Sequence, residues 1–312
     1  MYYSFADGDT ETVKIFYSDH FVLPLPEGHR FPMIKYSMLR ERVSTMGNGS
    51  SNELIVPRVV TDNEIMRAHT PGYLKQVVDG SISSKAMRRI GFPWTEQMVE
   101  RSRHASGGTV EACKAALESG FAANLAGGTH HAFAHRGEGY CIFNDSVIAA
   151  RDLQHERLVQ NVLIVDTDVH QGNGTAAILE DDDSIFTLSI HGEKNFPFRK
   201  ERSDLDLPLP DGADDGEFLA ALETGLEQSL DASGAQIVIY LAGADPFIDD
   251  KVGRLSVTKA GLAERDRLVL ESCRERELPV VATMAGGYAR KVEDTVDIHF
   301  QTVRRASELH AH

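Results

Sequence analysis

The chain has 312 residues, with 32 Lys and Arg against 47 Asp and Glu, for a formal net charge of −15. That balance is wrong for nucleic acid, whose phosphates are held by clustered Lys and Arg with release of counterions, and it disfavours an anionic membrane surface for the same reason. A cationic partner such as a lysine-rich peptide or a polyamine is permitted, although such a charge mainly promotes solubility.

From the start of the chain, MYYSFADGDTETVKIFYSDH lacks the basic-then-apolar order of a signal peptide. Val13–Tyr17 is the first short run rich in β-branched and aromatic residues, and Thr61 with Glu64 three residues on marks a helix start. Glu96–Ser119 has helical patterning, a strand ends near Leu125, and a second helix covers Asp145–Arg157. The remaining strands are Val162–Val165, Ile185–Ile190, Ile237–Leu241 and Val280–Thr283, and the remaining helices Asp215–Leu230, Lys259–Glu277 and Ala289–Leu309. The strands read as buried on both faces, and their alternation with helices predicts an α/β fold, a mostly parallel central sheet with helices on both faces. At about 150 residues per domain two domains are permitted. No Pro, Gly or Ser linker and no internal repeat divides the chain, so residues 1–312 are expected to form a single domain. No apolar run approaches the ~18 residues of a membrane span. Cys113, Cys141 and Cys273 form no CxxC and are too few for a disulfide framework, which points to a reducing cytoplasm.

The longest irregular stretches, Gly127–Asn144, His191–Asp214 and Gly243–Val257, each follow a strand end, where open parallel sheets place their ligands. In VLIVDTDVHQGNGT, alternation puts Asp166, Asp168 and His170 on one side of an extended segment. Three ionisable groups there need a metal or a hydrogen-bond network, the plain alternative being a solvated loop with an Asp–His pair. Asp245, in IVIYLAGADPF, leaves a second strand at the same edge. Taken alone it reads as a loop cap; with Asp168 and His170 it completes one nitrogen and two oxygen ligands, a set with an open position that suits catalytic zinc. Iron(II) or cobalt accepts the same set. His130 and His131, adjacent in THHAFAH, point in different directions on an extended segment and suit linked acid–base roles better than one metal, unless they are simply exposed loop histidines. In ATMAGGYAR, Gly286 and Gly287 let a substrate approach the backbone, and Tyr288 offers a phenol to a developing oxyanion. His135, His155, His299, His310 and His312 read as surface or packing residues, and the runs Asp181–Asp183 and DGADDG as solvated surface.

With GGTHHAFAHRGEGYCIFND, VLIVDTDVHQGNGT, TLSIHGEKNFPF, LAGADPF and MAGGY in this order, the chain resembles the histone deacetylase superfamily, of the arginase/deacetylase fold. HTPGYL and IGFPW extend the likeness toward the N-terminal third. HQGNG in place of the HHGDG of class I enzymes, together with SDLDLPLPDG and GRLSVTKAGLAERD, is similar to the class IV branch or its bacterial relatives. The resemblance implies zinc-dependent hydrolysis of an acyl-lysine amide, with Asp168, His170 and Asp245 as metal ligands. It makes His131 the general base and later acid, His130 its electrostatic support paired to Asp166, and Tyr288 the oxyanion donor. Gly139 and Tyr140 would line the acyl tunnel opposite Phe196. A potassium ion would sit on Asp166, the backbone carbonyls of Asp168 and His170, and Ser189. Lys35, in IKYSMLR, stands where many relatives have an Arg in the product-release channel. Asn173 stands where class I members have an Asp behind the second His, which predicts a lower pKa for His131 here.

Three other readings compete. An arginase-like enzyme needs more carboxylates for two metals, yet Gly172 and Phe247 stand where its DxHxD and DxD patterns need acids. Acetylpolyamines would suit an acidic chain, but no long insertion lies between Pro71 and Thr95 to narrow the site. A non-catalytic acyl-lysine-binding protein would be free to lose His131 and Tyr288.

Overall fold

The computed structural model describes residues 12–46 and 52–310. His312, the side chain of His310 and the opening residues of the chain lie outside the described set. The strands are β1 (Val13–Phe16), β2 (Asn52–Ile55), β3 (Phe121–Asn124), β4 (Val162–Asp166), β5 (Ile185–Gly192), β6 (Leu205–Leu209), β7 (Val238–Leu241) and β8 (Val280–Thr283). They form one eight-stranded sheet of order β2-β1-β3-β8-β7-β4-β5-β6 in which every pairing is parallel. The helices are α1 (Ile34–Ser44), α2 (Asp62–Ile65), α3 (Pro71–Asp79), α4 (Ser84–Ile90), α5 (Glu96–Ser119), α6 (Asp145–His155), α7 (Asn173–Leu179), α8 (Asp215–Ser233), α9 (Lys259–Arg274) and α10 (Val292–His310).

Side chains alternate across a strand, and each face of this sheet is buried by its own layer. Leu163 and Val165 of β4, with Val238 and Tyr240 of β7, pack against Leu222 of α8, Leu262 and Val269 of α9 and Val303 of α10. Val162, Ile164, Ile239 and Leu241 face the other way, toward Val110 of α5 and Val147 and Ile148 of α6. Fully burying such a side chain stabilises the fold by roughly 1.5–3 kcal/mol, so strands covered on both sides select β-branched residues. This is the expected single α/β domain with helices on both faces. Among the described residues no helix is long and apolar enough to cross a membrane.

The helix starts follow their caps. Thr61 and Glu64 form a reciprocal capping box, although α2 then runs only to Ile65, and Asp214 with Glu217 does the same for the longer α8. The stretch His191–Asp214 is not wholly irregular: β5 runs on to Gly192, and Leu205–Leu209 pairs with it as β6. LDLPL escapes the apolar pattern because it is an edge strand, half exposed, where Pro208 needs no ladder donor. β2 is the opposite edge and equally mixed in composition.

In the middle of the sheet β3, β8, β7 and β4 lie side by side. The chain leaves β3 on one side of this group and re-enters it at β4 on the other. Connections diverge there, and the carboxyl ends of these four strands open onto a common crevice.

Candidate functional site

Asp166 is the last residue of β4, and the backbone bends after it. The extended arrangement expected for Asp166, Asp168 and His170 therefore stops at Asp166, whose Oδ1 accepts from the Asp168 N–H at 3.1 Å and tightens that bend. Asp168 and His170 are brought instead against Asp245, four residues beyond the end of β7. One donor atom from each lies within 4.8 Å of the others. Backbone amides hold the two carboxylates. Asp168 Oδ2 accepts from Gly286 N at 2.8 Å, and Asp245 Oδ1 from Val169 N at 2.9 Å.

The free atoms of this cluster describe a cation site. His170 Nδ1 is 2.9 Å from Asp168 Oδ1 and 3.3 Å from Asp245 Oδ2, and a ring nitrogen carries at most one proton to share between them. Asp245 Oδ2 is buried and has no hydrogen-bond donor. Burial and the neighbouring charge of Asp168 push the Asp245 carboxyl up to about 7, the strain of two buried carboxylates with too little positive charge between them. Gly286 leaves the space: a Cβ there would sit 2.0 Å from Asp245 Oδ2 and 2.5 Å from Asp168 Oδ2. A divalent ion fits this donor set.

His130 and His131 lie on the loop after β3, their rings 4.1 Å apart, and they turn to different partners as expected. His130 Nδ1 is 2.6 Å from Asp166 Oδ2; burial opposes its charge, but Asp166 and Asp168 outweigh this and raise its pKa to about 9. His131 Nδ1 is 2.7 Å from Asn173 Oδ1 at the first turn of α7. Asn173 Nδ2 faces Glu138 Oε1 at 3.2 Å. A carboxylate only accepts, so the amide nitrogen belongs on that side, and His131 must donate from Nδ1. Its Nε2 is left as a lone pair for the cavity that His131 lines. Burial, then the charges of His130 and His170, hold the His131 pKa well below the usual value. Tyr288 follows β8, its N–H fixed by Asp250 Oδ2 at 2.6 Å; burial keeps its phenol protonated far above neutrality.

A cavity of about 720 Å³ opens above these groups. Its lining includes Asp168, His170, Asp245, His130, His131, Gly139, Tyr140, Phe196, Gly286 and Tyr288 from the sequence reading. Gly139, at φ +54, could carry no side chain, because a Cβ would fall 2.6 Å from His131 Cδ2. It stands opposite Phe196, whose ring is edge-on to His131 at 4.9 Å. Tyr140 also lines the cavity but turns its ring to Phe31, Phe92 and Tyr288. Gly287 does not line it: Gly287 backs onto Thr295 and His299, and its carbonyl lies 3.4 Å from the buried Lys35 Nζ. Asp166, Asn173 and Ser189 also stand behind the lining; Asp166 and Ser189 are register partners on β4 and β5, and Ser189 Oγ meets His191 Nδ1 at 3.0 Å.

Three supports escaped the sequence reading. Asp145 gathers the 128–129 turn below the histidines through Gly128 N, Thr129 N and Thr129 Oγ1; the Asn144 cap of α6 is the signal that marks this spot. Asp250, which orients Tyr288, looks like an ordinary loop acid. Arg265 has a helical charge pattern yet is fully buried, donating to the Gly243 carbonyl beside Asp168 and to Asp266, which also accepts from Tyr240 and Thr302.

Residues 29–303 match the family model described as histone deacetylase domain. An uncharacterized protein of Picosynechococcus sp. is 43% identical over 95% of this chain and 99% of its own length. Histone deacetylase 2 of Arabidopsis thaliana is 28% identical over 94% and 80%, and acetoin utilization protein AcuC of Bacillus subtilis 27% over 74% and 65%. Among solved structures, an HDAC homolog complexed with SAHA superposes with a TM-score of 0.82 at 25% identity, covering 96% of this chain and 84% of the other.

Proposed function

The chain belongs to the histone deacetylase family, and we propose that it is a zinc-dependent hydrolase of acyl-lysine amides. The observation that carries this reading is the buried Asp168–His170–Asp245 cluster at the floor of a cavity that His131 and Tyr288 also line. Asp168, His170 and Asp245 would hold the ion, which when bound would supply Lewis acidity toward the acyl carbonyl and the attacking water. His131 takes the water's proton at Nε2, since its Nδ1 is committed to Asn173, and later delivers it to the leaving amine. Tyr288, kept protonated by burial, donates to the oxyanion as the acyl carbon becomes tetrahedral. His130, paired with Asp166, provides fixed positive charge nearby. Gly139 and Phe196, neighbours on the cavity lining, form a wall along the path of the acyl chain.

A single ion rather than a pair is favoured because Gly172 and Phe247 offer no ligand, and the described residues hold one cluster of this kind. Zinc suits the donor set, with iron(II) the alternative. The reading includes a potassium ion on Asp166, Ser189 and the carbonyls of Asp168 and His170, which is supported by the register that sets Asp166 beside Ser189. The HQGNG motif and Asn173 favour the class IV-like branch. The three cysteines, free and buried, suit a cytoplasmic protein.

The test is metal analysis of the purified protein together with turnover of lysine substrates acylated from acetyl to myristoyl. About one metal per chain and chelator-sensitive release of free lysine are expected. Two metals per chain, or a metal-loaded protein inert toward every acyl length, overturns the reading.

A further inference from the structure

The mouth of the cavity has the opposite charge to the rest of the molecule. Acids outnumber bases 47 to 32 along the chain, yet five basic residues, Arg30, Arg88, Arg89, Lys194 and Arg254, line this one cavity. All five are exposed and come from four separate segments: the loop before α1, the last turn of α4, the loop after β5 and the loop before α9. Among the described residues the only acids in the lining are Asp168 and Asp245, at the ion site, and Glu138. Glu138 is turned inward to Asn173 and lies 3.6 Å from Arg136, so it does not offset the rim. Arg254 is paired with Asp211 at 3.1 Å. The other four have no carboxylate within ion-pair distance among the described residues, unlike Lys14, Lys75, Arg267 and Arg276, each of which is paired with an acid. Phe198, 90% exposed, stands among them.

Unpaired cations grouped at a cavity mouth focus the local field and raise the encounter rate of anionic ligands, while opposing cationic ones. We infer that the rim selects acyl-lysines set in acidic sequence, with Asp or Glu flanking the modified residue, and disfavours lysine-rich tails and acylpolyamines. This inference rests on the acyl-lysine reading of the same site and names its substrate class. The Arg side chains would pair with flanking carboxylates in bidentate fashion, and Phe198 offers the apolar backing for the peptide beside them.

The experiment uses three peptides of equal length with one central acetyl-lysine and flanks that are acidic, neutral or basic. With the metal-loaded full chain at low ionic strength, kcat/KM is expected to rank acidic over neutral over basic, with a gap of about tenfold or more between the extremes. High salt closes the gap, since exposed charges are screened beyond about 10 Å at 0.1 M. The double variant Arg88→Glu/Arg89→Glu and, on a different loop, Lys194→Glu should each narrow or invert the ranking. Binding of the same peptides, read by fluorescence anisotropy, ranks the charges independently of turnover. Absence of turnover for all three counts against the deacylase reading and leaves the binding order to judge the rim. Equal or basic-first binding and turnover, or a ranking untouched by both charge reversals, overturns the inference.

Discussion

Asn173→Asp is the sharpest probe of the acid–base reading. The substitution replaces an amide oxygen, 2.7 Å from His131 Nδ1, with a carboxylate, while the surroundings stay buried. Unit charges about 4 Å apart interact by about 4 kcal/mol at an effective dielectric near 20, which corresponds to about three pKa units at 1.36 kcal/mol each. Two effects reduce this. The new carboxylate is itself desolvated, and it meets Glu138 across the 3.2 Å contact where an amide N–H now donates. A net rise of about one to two units for His131 is what remains. His131 must be neutral to accept a proton, so a higher pKa removes the base at a higher pH, and the acidic limb of kcat/KM moves upward by the same one to two units or so. The double variant Glu138→Gln/Asn173→Asp supplies a donor where the repulsion was and should move the limb further. Measurement is a pH–rate profile on protein of verified metal content. An acidic limb unmoved in an active Asn173→Asp enzyme refutes the assignment of His131 as the base.

Tyr288→Phe should lower kcat by ~10²–10³, the usual loss for one oxyanion donor, with an unchanged melting temperature because the backbone N–H keeps its bond to Asp250. Full activity in that variant would remove Tyr288 from the chemistry. Gly286→Ala places a Cβ 2.0 Å from Asp245 Oδ2, so the chain should fold but retain little metal after desalting; stoichiometric metal would refute the cramped geometry. Outside the cavity lining, His69 gives a pH signature. Its Nε2 accepts from Asn144 N at 2.8 Å, its Nδ1 lies 3.0 Å from the Phe133 carbonyl, and burial pushes its pKa down from 6.5 to about 4. The unfolded chain therefore binds a proton below pH 6.5 that the folded one refuses until about pH 4, and about 3 kcal/mol of stability is lost as pH falls through that window. Urea unfolding at pH 7 and pH 4.5 should show a smaller loss for His69→Leu than for the wild type; equal losses would exclude His69 as a contributor.

What was legible in the sequence follows from what the sheet buries. β4, β7 and β8 are covered on both faces, so their composition alone shows them, and each ends a few residues before an acid or a phenol of the site. β2 and β6 lie at the edges, where exposure admits Glu53, Asp206 and Pro208 and erases the pattern. Within the site, Asp168, His170 and Asp245 could be paired because each leaves a strand end, but the bend that separates Asp166 from them could not be read, since it depends on a backbone bond to Asp166 Oδ1. The same holds for Asp250 and Arg265. Their side chains act on backbone from other loops, at distances in sequence of 38 and 22 residues, and nothing local marks such a partner.

Charge shows the limit most clearly. A net −15 permits a cationic partner when it is treated as a property of the whole chain, and on that basis an amine-bearing ligand is expected at the cavity. A ligand at the mouth, however, senses groups within roughly a Debye length, about 8 Å at physiological salt. Arg30 and Arg89 lie 59 positions apart, with Arg88 beside Arg89, and Lys194 follows a further 105 on, so only folding makes them neighbours around one opening. Some of the surface acids have partners of their own, as Asp79 has Lys75, Glu264 has Arg267 and Asp297 has Arg42 and Lys259, and these contribute little field at a distance. The unpaired cations at the rim keep theirs. Net charge therefore governs solubility here, while the sign a substrate meets is set by which few charges the loop before α1, the end of α4 and the loop after β5 leave without a partner.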